Sequence, residues 1–243
     1  MSVFATLVEQ LADLLQPLFA ASSTAAAIVV FTALVRLAVH PLSRAAARGQ
    51  KARTRLAPQL AEVRAKHGKN PERLQKATLE LYAKEKVSPL AGCLPSLLQV
   101  PAFFLMYHLF SSAEIGGEAN GLLGHSLLQA PLGDRWADAL AHGGMFGGAG
   151  LVHLALFGTV AAVATFNYRR TKQQIAAAPA AGEQLPGMGA MTKVMPLMSF
   201  LTLATVAVVP LAAALYVVTS TTWAAVERVF LYRDMPVPSA AQM

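Results

Sequence analysis

Charge is scarce in this chain: 14% of its 243 residues are Asp, Glu, Lys or Arg, where a soluble domain carries about a quarter. With 55% of the residues hydrophobic, that shortage excludes an ordinary water-soluble globule. Cysteine is almost missing. The single Cys93, inside an apolar segment, excludes an intramolecular disulfide and a cysteine-rich metal site. Strand-like alternation of apolar and polar residues is missing too, so helices rather than a barrel must satisfy the backbone in lipid. Nothing resembles a Ser/His/Asp set, a phosphate loop, a zincin motif or a carboxylate pair. The expectation is a protein that is not an enzyme and that needs no cofactor or metal. His108 and His153 lie in apolar segments without ligand spacing and read as neutral packing residues.

What is present is a series of apolar stretches near 20 residues, each able to cross a hydrocarbon core of roughly 30 Å. Five spans are expected: Ser23–Val39, Leu90–Phe110, Leu151–Tyr168, Met191–Val209 and Leu211–Tyr232. Only Val209-Pro210 separates the last two, which predicts a tight turn, since one helix of that length is about twice what a span needs. Residues 1–20 lack the basic start of a signal peptide, and Glu9 and Asp13 interrupt their apolar run. Phe4, Leu7, Val8, Leu11, Leu14, Leu15 and Leu18 keep helical spacing. An amphipathic helix in the outer interface follows.

Orientation follows from the positive-inside bias. Residues 41–88 hold 12 Lys/Arg against Glu62, Glu72, Glu80 and Glu85, a net of +8. The 111–147 loop holds Glu114, Glu118, Asp134 and Asp138 against Arg135, a net of −3. Arg169, Arg170 and Lys172 make the 169–190 loop basic again. The N-terminus is expected outside, with a short tail, 233–243, inside. Within 43–88, Leu56, Leu60 and Val63 share one helical face, and Leu74 and Leu81 another. Gly68 can stop the first helix, while Asn70, Pro71 and Glu72 can cap and begin the second. This predicts a cytoplasmic helical hairpin. Its charges read either as a solvated face and topology signal or as a surface for anionic lipid or ribosomal RNA. Without interleaved aromatics it is not expected to read nucleic-acid sequence.

Arg36 lies inside the first span, where a charge costs about 2.5–3.5 kcal/mol on insertion scales. His40-Pro41 is close enough for snorkelling to the headgroups. Against that, Thr32 sits one turn earlier on the same face, Gln99 lies between Pro95 and Pro101, and Thr219–Thr222 cluster in the last span. The spans offer no internal carboxylate partner; Glu227 sits near the inner end of the last one. An arginine so placed implies a hydrated cavity or a visiting anionic group.

The run Arg36-Leu-Ala-Val-His-Pro-Leu42, the string HGKNPERLQKATLELYAKEKVSPLAGCLPSLLQVPAFF and the closing KVMPLMSF…VVPLAAALYVVTSTTW closely resemble the YidC/Oxa family of membrane protein insertases, in its short actinobacterial- or Gram-positive-like form. The resemblance covers about residues 23–233. It implies an all-α fold of five transmembrane helices with an N-terminal interfacial helix and the cytoplasmic hairpin. It also implies a polar groove open to the cytoplasm and lipid and closed outside, in a bacterial cytoplasmic membrane. By that resemblance Arg36, Thr32, Gln99, Tyr216, Thr219 and Ser220 line the groove, and Phe103 belongs to the slide along which substrate leaves. Many relatives carry a second aromatic after Tyr216; here it is Val217, which puts in doubt a stacking role there. A large outer domain and a long basic tail are not expected, the chain ending ten residues after Arg233.

The function expected is insertion of nascent membrane proteins into the bilayer. Ribosome and anionic lipid are expected on the basic hairpin, and the Sec translocon is a further candidate partner. The rival reading is an anion-coupled transporter with Arg36 in its substrate site, although no internal symmetry of the kind transporters show is visible. A third is a lipid-bound scaffold that organises ribosomes through the hairpin alone.

Overall fold

The computed structural model describes residues 2–68, 70–87, 94–177 and 194–233. Cys93, most of the 169–190 loop, the start of the fourth expected span and the tail beyond Arg233 lie outside the described residues. Helices dominate: α1 Ser2–Phe19, α2 Ser23–Arg55, α3 Ala57–His67, α4 Pro71–Lys84, α5 Leu94–Ser111, α6 Trp136–Gly143, α7 Gly148–Ala177, α8 Leu201–Val208 and α9 Leu211–Leu231. The strands described are four two-residue pieces between α5 and α6, β1 Glu114–Ile115 with β2 Glu118–Ala119 and β3 Ser126–Leu127 with β4 Ala130–Pro131. Each pair is antiparallel. Two helical stretches, Val3–Ala52 and Gly148–Ile175, are long and apolar enough to cross a membrane, and Met195–Val208 is a shorter apolar one. This is the composition of an all-α membrane protein.

Two boundaries differ from the sequence expectation. α2 does not stop near Val39 but runs unbroken through Pro41 to Arg55, about 50 Å at 1.5 Å per residue. Proline removes one helical donor, yet Ala45, Ala46 and Ala47 follow, and alanine has the highest helix propensity. The second difference lies before α8. Met195–Phe200 winds as a 3₁₀-helix rather than an α-helix, with Pro196 unable to donate within it. Val209 is extended, with ψ 157°, as a residue before proline must be. That breaks the chain between α8 and α9.

The chain forms two compact units. The first comprises Met1–Ala38, Val100–Asn167 and Met198–Glu227. Its core gathers Val8, Ile28, Leu109, Phe110, Leu122, Leu132, Val160, Val206 and the start of α9. On α1, Phe4, Val8, Leu11 and Leu15 turn to that core, while Val3, Leu7, Leu14 and Leu18 form an exposed stripe beside it. The apolar positions of α1 therefore serve two surfaces.

Polar backbone at one end of this core is closed by the β-containing loop. Asn120 is buried and fully used: its Nδ2 donates to Leu109 O and Ser112 O, both at 2.9 Å, and its Oδ1 accepts from Leu122 N. The first N–H groups of α9 have no partner within their own helix. Leu211 N donates to Asp134 O at 2.8 Å and Ala212 N to Leu132 O at 2.9 Å. The loop thereby caps α9 with its own carbonyls.

The second unit comprises Val39–Gln99, Tyr168–Leu197 and Arg228–Met243. Here α3 packs against α4. Asn70 caps α4 by accepting from Arg73 N at 3.1 Å, Pro71 opens the helix and Glu72 lies in its first turn. Arg64, Lys66 and His67 close α3, where the helix dipole favours cations. Ala47, Leu56 and Tyr82 are the buried residues among those described in this region; the others are half-buried or exposed, and many of the exposed ones are charged.

Candidate functional site

The site is built on α2 and α9 within the first unit. Four residues apart on α2, Thr32 and Arg36 occupy one helical face. Thr32 is buried, and its hydroxyl donates back to Ile28 O at 2.6 Å. Arg36 is half-buried. Its Nε donates to Ser220 Oγ at 2.9 Å, and its Nη2 donates to the same oxygen. Ser220 itself is buried. A hydroxyl carries no charge, so this contact positions the guanidinium without neutralising it.

Tyr216 sits one turn before Ser220 on α9 and is buried. Its ring lies 6.1 Å from Phe103 and 6.0 Å from Phe110, centroid to centroid. Phe103 also stacks on Tyr107 at 5.8 Å and is 39% exposed. It therefore joins the aromatic cluster to the surface. Thr219 is half-buried on α9. Val217 is buried in the core. Gln99 lies on α5, its side chain outside the described residues.

Burial changes along α9 in a way that locates the site. Every residue from Leu211 to Val218 is buried. From Thr219 onward burial breaks up: Ser220 and Ala225 stay buried, Thr219 and the residues 221–224 are partly buried, and Val226, Val229 and Phe230 are exposed. Arg36 meets α9 at Ser220, where the closed packing ends. Two further polar atoms at this level, Thr222 Oγ1 and Trp223 Nε1, are buried without a hydrogen-bond partner among the described residues. Buried polar groups are nearly always paired, so an indole N–H left in this way is ready for a visiting acceptor. Trp223 escaped the sequence reading. The signal was the spacing 216, 220, 223, which puts it on the helical face of Tyr216 and Ser220.

His153, on α7, is fully buried, with Nδ1 3.0 Å from Ala149 O and the ring 5.7 Å from Trp136. It packs at a different place and is not part of this cluster. Among the described residues no group of three or more His, Cys, Asp or Glu side chains could hold a metal. What the Arg36 cluster can do is bind: a cation, hydroxyls and an indole donor beside aromatic surface suit a polar or anionic segment in passage.

A family model described as "60Kd inner membrane protein" matches residues 15–238. The chain is also similar to proteins named "Membrane protein insertase YidC". With that of Azotobacter vinelandii it is 42% identical over 89 residues, 36% of this chain and 16% of the relative. With that of Xanthomonas campestris pv. campestris it is 42% identical over 90 residues, 37% of this chain and 16% of the relative. An Anaeromyxobacter protein of the same name is 40% identical over 81 residues, 33% of this chain and 15% of the relative. The matched stretch is thus about a sixth of the length of these relatives.

Proposed function

The chain belongs to the 60Kd inner membrane protein family, and from that premise we propose that it is a membrane protein insertase of a bacterial inner membrane. The relatives carry the insertase name. The observation that carries the reading here is the Arg36–Ser220 contact at the point where the packing of α9 opens. A client presents a short polar segment to this groove. Arg36 attracts acidic segments, Trp223 and the hydroxyls of Thr219 and Ser220 take up backbone polar groups, and Phe103 meets the client's apolar helix on its way to lipid. Gln99 is proposed for the groove on the strength of the resemblance alone.

The topology proposed with it has five spans, the N-terminus outside, α1 in the outer interface and the α3–α4 pair in the cytoplasm. The exposed stripe on α1 supports that placement, since a helix with one apolar face on the core and another uncovered suits a headgroup boundary. The charged α3–α4 surface is the collecting face for ribosome or anionic lipid, and the Sec translocon is a further partner in this reading. Apolar burial drives release, helped for negative segments by the membrane potential at about 2.3 kcal/mol per charge per 100 mV.

The test is site-specific photocrosslinking from positions 36, 216, 220 and 223 to a ribosome-bound membrane protein chain. Crosslinks from these positions, and none from Val160 or Ala213, are the expected result. Labelled-anion uptake by proteoliposomes, with no crosslinks to the nascent chain, would instead favour the transporter.

A further inference from the structure

In the second unit, the end of α7 meets the end of α9 through charge. The Arg170 guanidinium carbon lies 5.4 Å from the centre of the Tyr232 ring, within the range of a cation–π contact. Arg228 stands four residues before Tyr232, and Tyr232 N donates to Arg228 O at 3.1 Å, so both side chains leave one helical face. We propose that Arg170 and Arg228 together form a clamp for the phosphate of an anionic phospholipid headgroup. This site uses no residue of α3 or α4 and depends only on the chain lying in a membrane, not on the insertase reading.

The contact with Tyr232 is to the face of its ring, which is not a hydrogen-bond acceptor of the strength of a carboxylate or phosphate. The N–H donors of Arg170 lie in the guanidinium plane, the geometry that matches phosphate oxygens. The two arginines also stand in each other's field. Burial, then the charge of Arg228, holds the Arg170 pKa below its ordinary value, and Tyr232 pulls it back up. Two like charges drawn together in a partly dehydrated place oppose each other. An anion between them reverses the sign of that interaction, and phosphate held by arginine forks is among the strongest such pairings.

The surroundings choose lipid over a soluble anion. On the turn of α9 that carries Arg228, Val229 is 45% exposed and Phe230 69% exposed. Large apolar side chains uncovered at that level belong against acyl chains, so the guanidiniums sit at headgroup depth. Arg169 and Lys172 flank the pair on α7 and add to the attraction that basic sites at helix ends exert on anionic lipid.

The full-length chain, purified in detergent, is mixed with phosphatidylglycerol or phosphatidylcholine of the same acyl chains, and bound lipid is counted by native mass spectrometry. Retention of phosphatidylglycerol over phosphatidylcholine is expected. Arg170→Gln and Arg228→Gln should each weaken it about tenfold, the loss of one charge-assisted hydrogen bond. Arg44→Gln should leave it unchanged. Circular dichroism identifies a variant that misfolds, and the other glutamine variant then carries the test. Equal retention of the two lipids, or wild-type retention in a folded glutamine variant, overturns the proposal. So does displacement of the lipid by inorganic phosphate, which would make the site one for a soluble anion.

Discussion

The two halves of α9 show how one helix does two jobs. Leu211–Val218 reads LAAALYVV and is buried throughout; the next turns read TSTTWAAVER and progressively open. The first half is held by close packing, and its N-terminal donors are taken by Leu132 and Asp134 carbonyls. In the second half polar side chains enter the packing: Ser220 receives Arg36, and Trp223 keeps a buried donor without a partner among the described residues. Closure at one end and an accessible polar surface at the other are thus properties of one continuous helix. Their separation is a matter of composition turn by turn.

The largest effect that would test this contrast is a charge placed in the closed half. Ala213 has no exposed surface. Ala213→Glu should destabilise the protein by about 3 kcal/mol, the order of cost for a charge held at membrane depth. Ala224→Glu, in the opening half, should cost clearly less. Thermal unfolding of both variants in the same detergent compares them. Equal losses would mean the two halves do not differ in packing.

Next in size is the loop that closes the buried end. Asn120→Ala removes three hydrogen bonds and leaves the amide of buried Leu122 without its acceptor. A loss of about 1–3 kcal/mol is expected. Asn120→Asp keeps the acceptor toward Leu122 N but cannot donate to Leu109 O and Ser112 O while ionised. It should therefore fall at least as far as Ala. Denaturant midpoints at fixed detergent concentration decide the order.

A third effect belongs to the open half and to Arg36. The hydrogen bonds it gives to Ser220 go to a neutral hydroxyl, and a hydrated, variable client segment specifies no bidentate partner, so charge should matter more than the guanidinium fork. Arg36→Lys should keep most insertion activity. Arg36→Ala should lose about tenfold for clients with acidic outer tails, roughly one charge-assisted hydrogen bond, and little for neutral tails. Arg36→Glu should be worse than Ala with acidic tails. The assay is insertion of a small membrane protein whose tail is varied. If Lys fails as fully as Ala, the Ser220 contact specifies a fixed geometry and the electrostatic reading is wrong.

How much of this was legible in the sequence varies with range. Local instructions were plain: Asn70-Pro71-Glu72 predicts the cap of α4 that the structure makes. The length of α2 was not: the apolar run marks a span that ends near Val39, while the alanine-rich run beyond Pro41 sustained the helix to Arg55. Tight winding at Met195–Phe200 was also hidden, since its apolar composition suits α and 3₁₀ equally. The partner of Arg36 lies 184 residues away, and no local periodicity fixes the register of α2 on α9. Resemblance placed Ser220 in the groove with Arg36; only the coordinates join the two. Trp223 shows the remaining limit. Spacing puts it on the right face, but that its indole N–H is buried without a partner depends on packing that one sequence does not display.

The smallest expected effect sharpens the comparison most, because it separates packing from polar function at a single atom. Trp223→Phe keeps an aromatic ring and removes the Nε1 donor. A buried donor without an acceptor opposes folding, so the resting protein should be as stable as before or slightly more so. In the closed half the reverse holds: Val217→Ala, at a buried core position, should cost stability by about 1 kcal/mol or more through lost packing. Insertion should respond in the opposite sense. If the Trp223 N–H takes a backbone carbonyl of a passing client, its loss removes about one neutral hydrogen bond, 0.5–1.5 kcal/mol. That amounts to a slowing of roughly two- to tenfold. Because the donor carries no charge, acidic and neutral tails should slow alike, unlike the Arg36→Ala pattern. Unfolding midpoints and insertion rates for the two variants give the comparison. Should Trp223→Phe lose stability and leave insertion untouched, Trp223 is a packing residue and the open half begins nearer the end of α9.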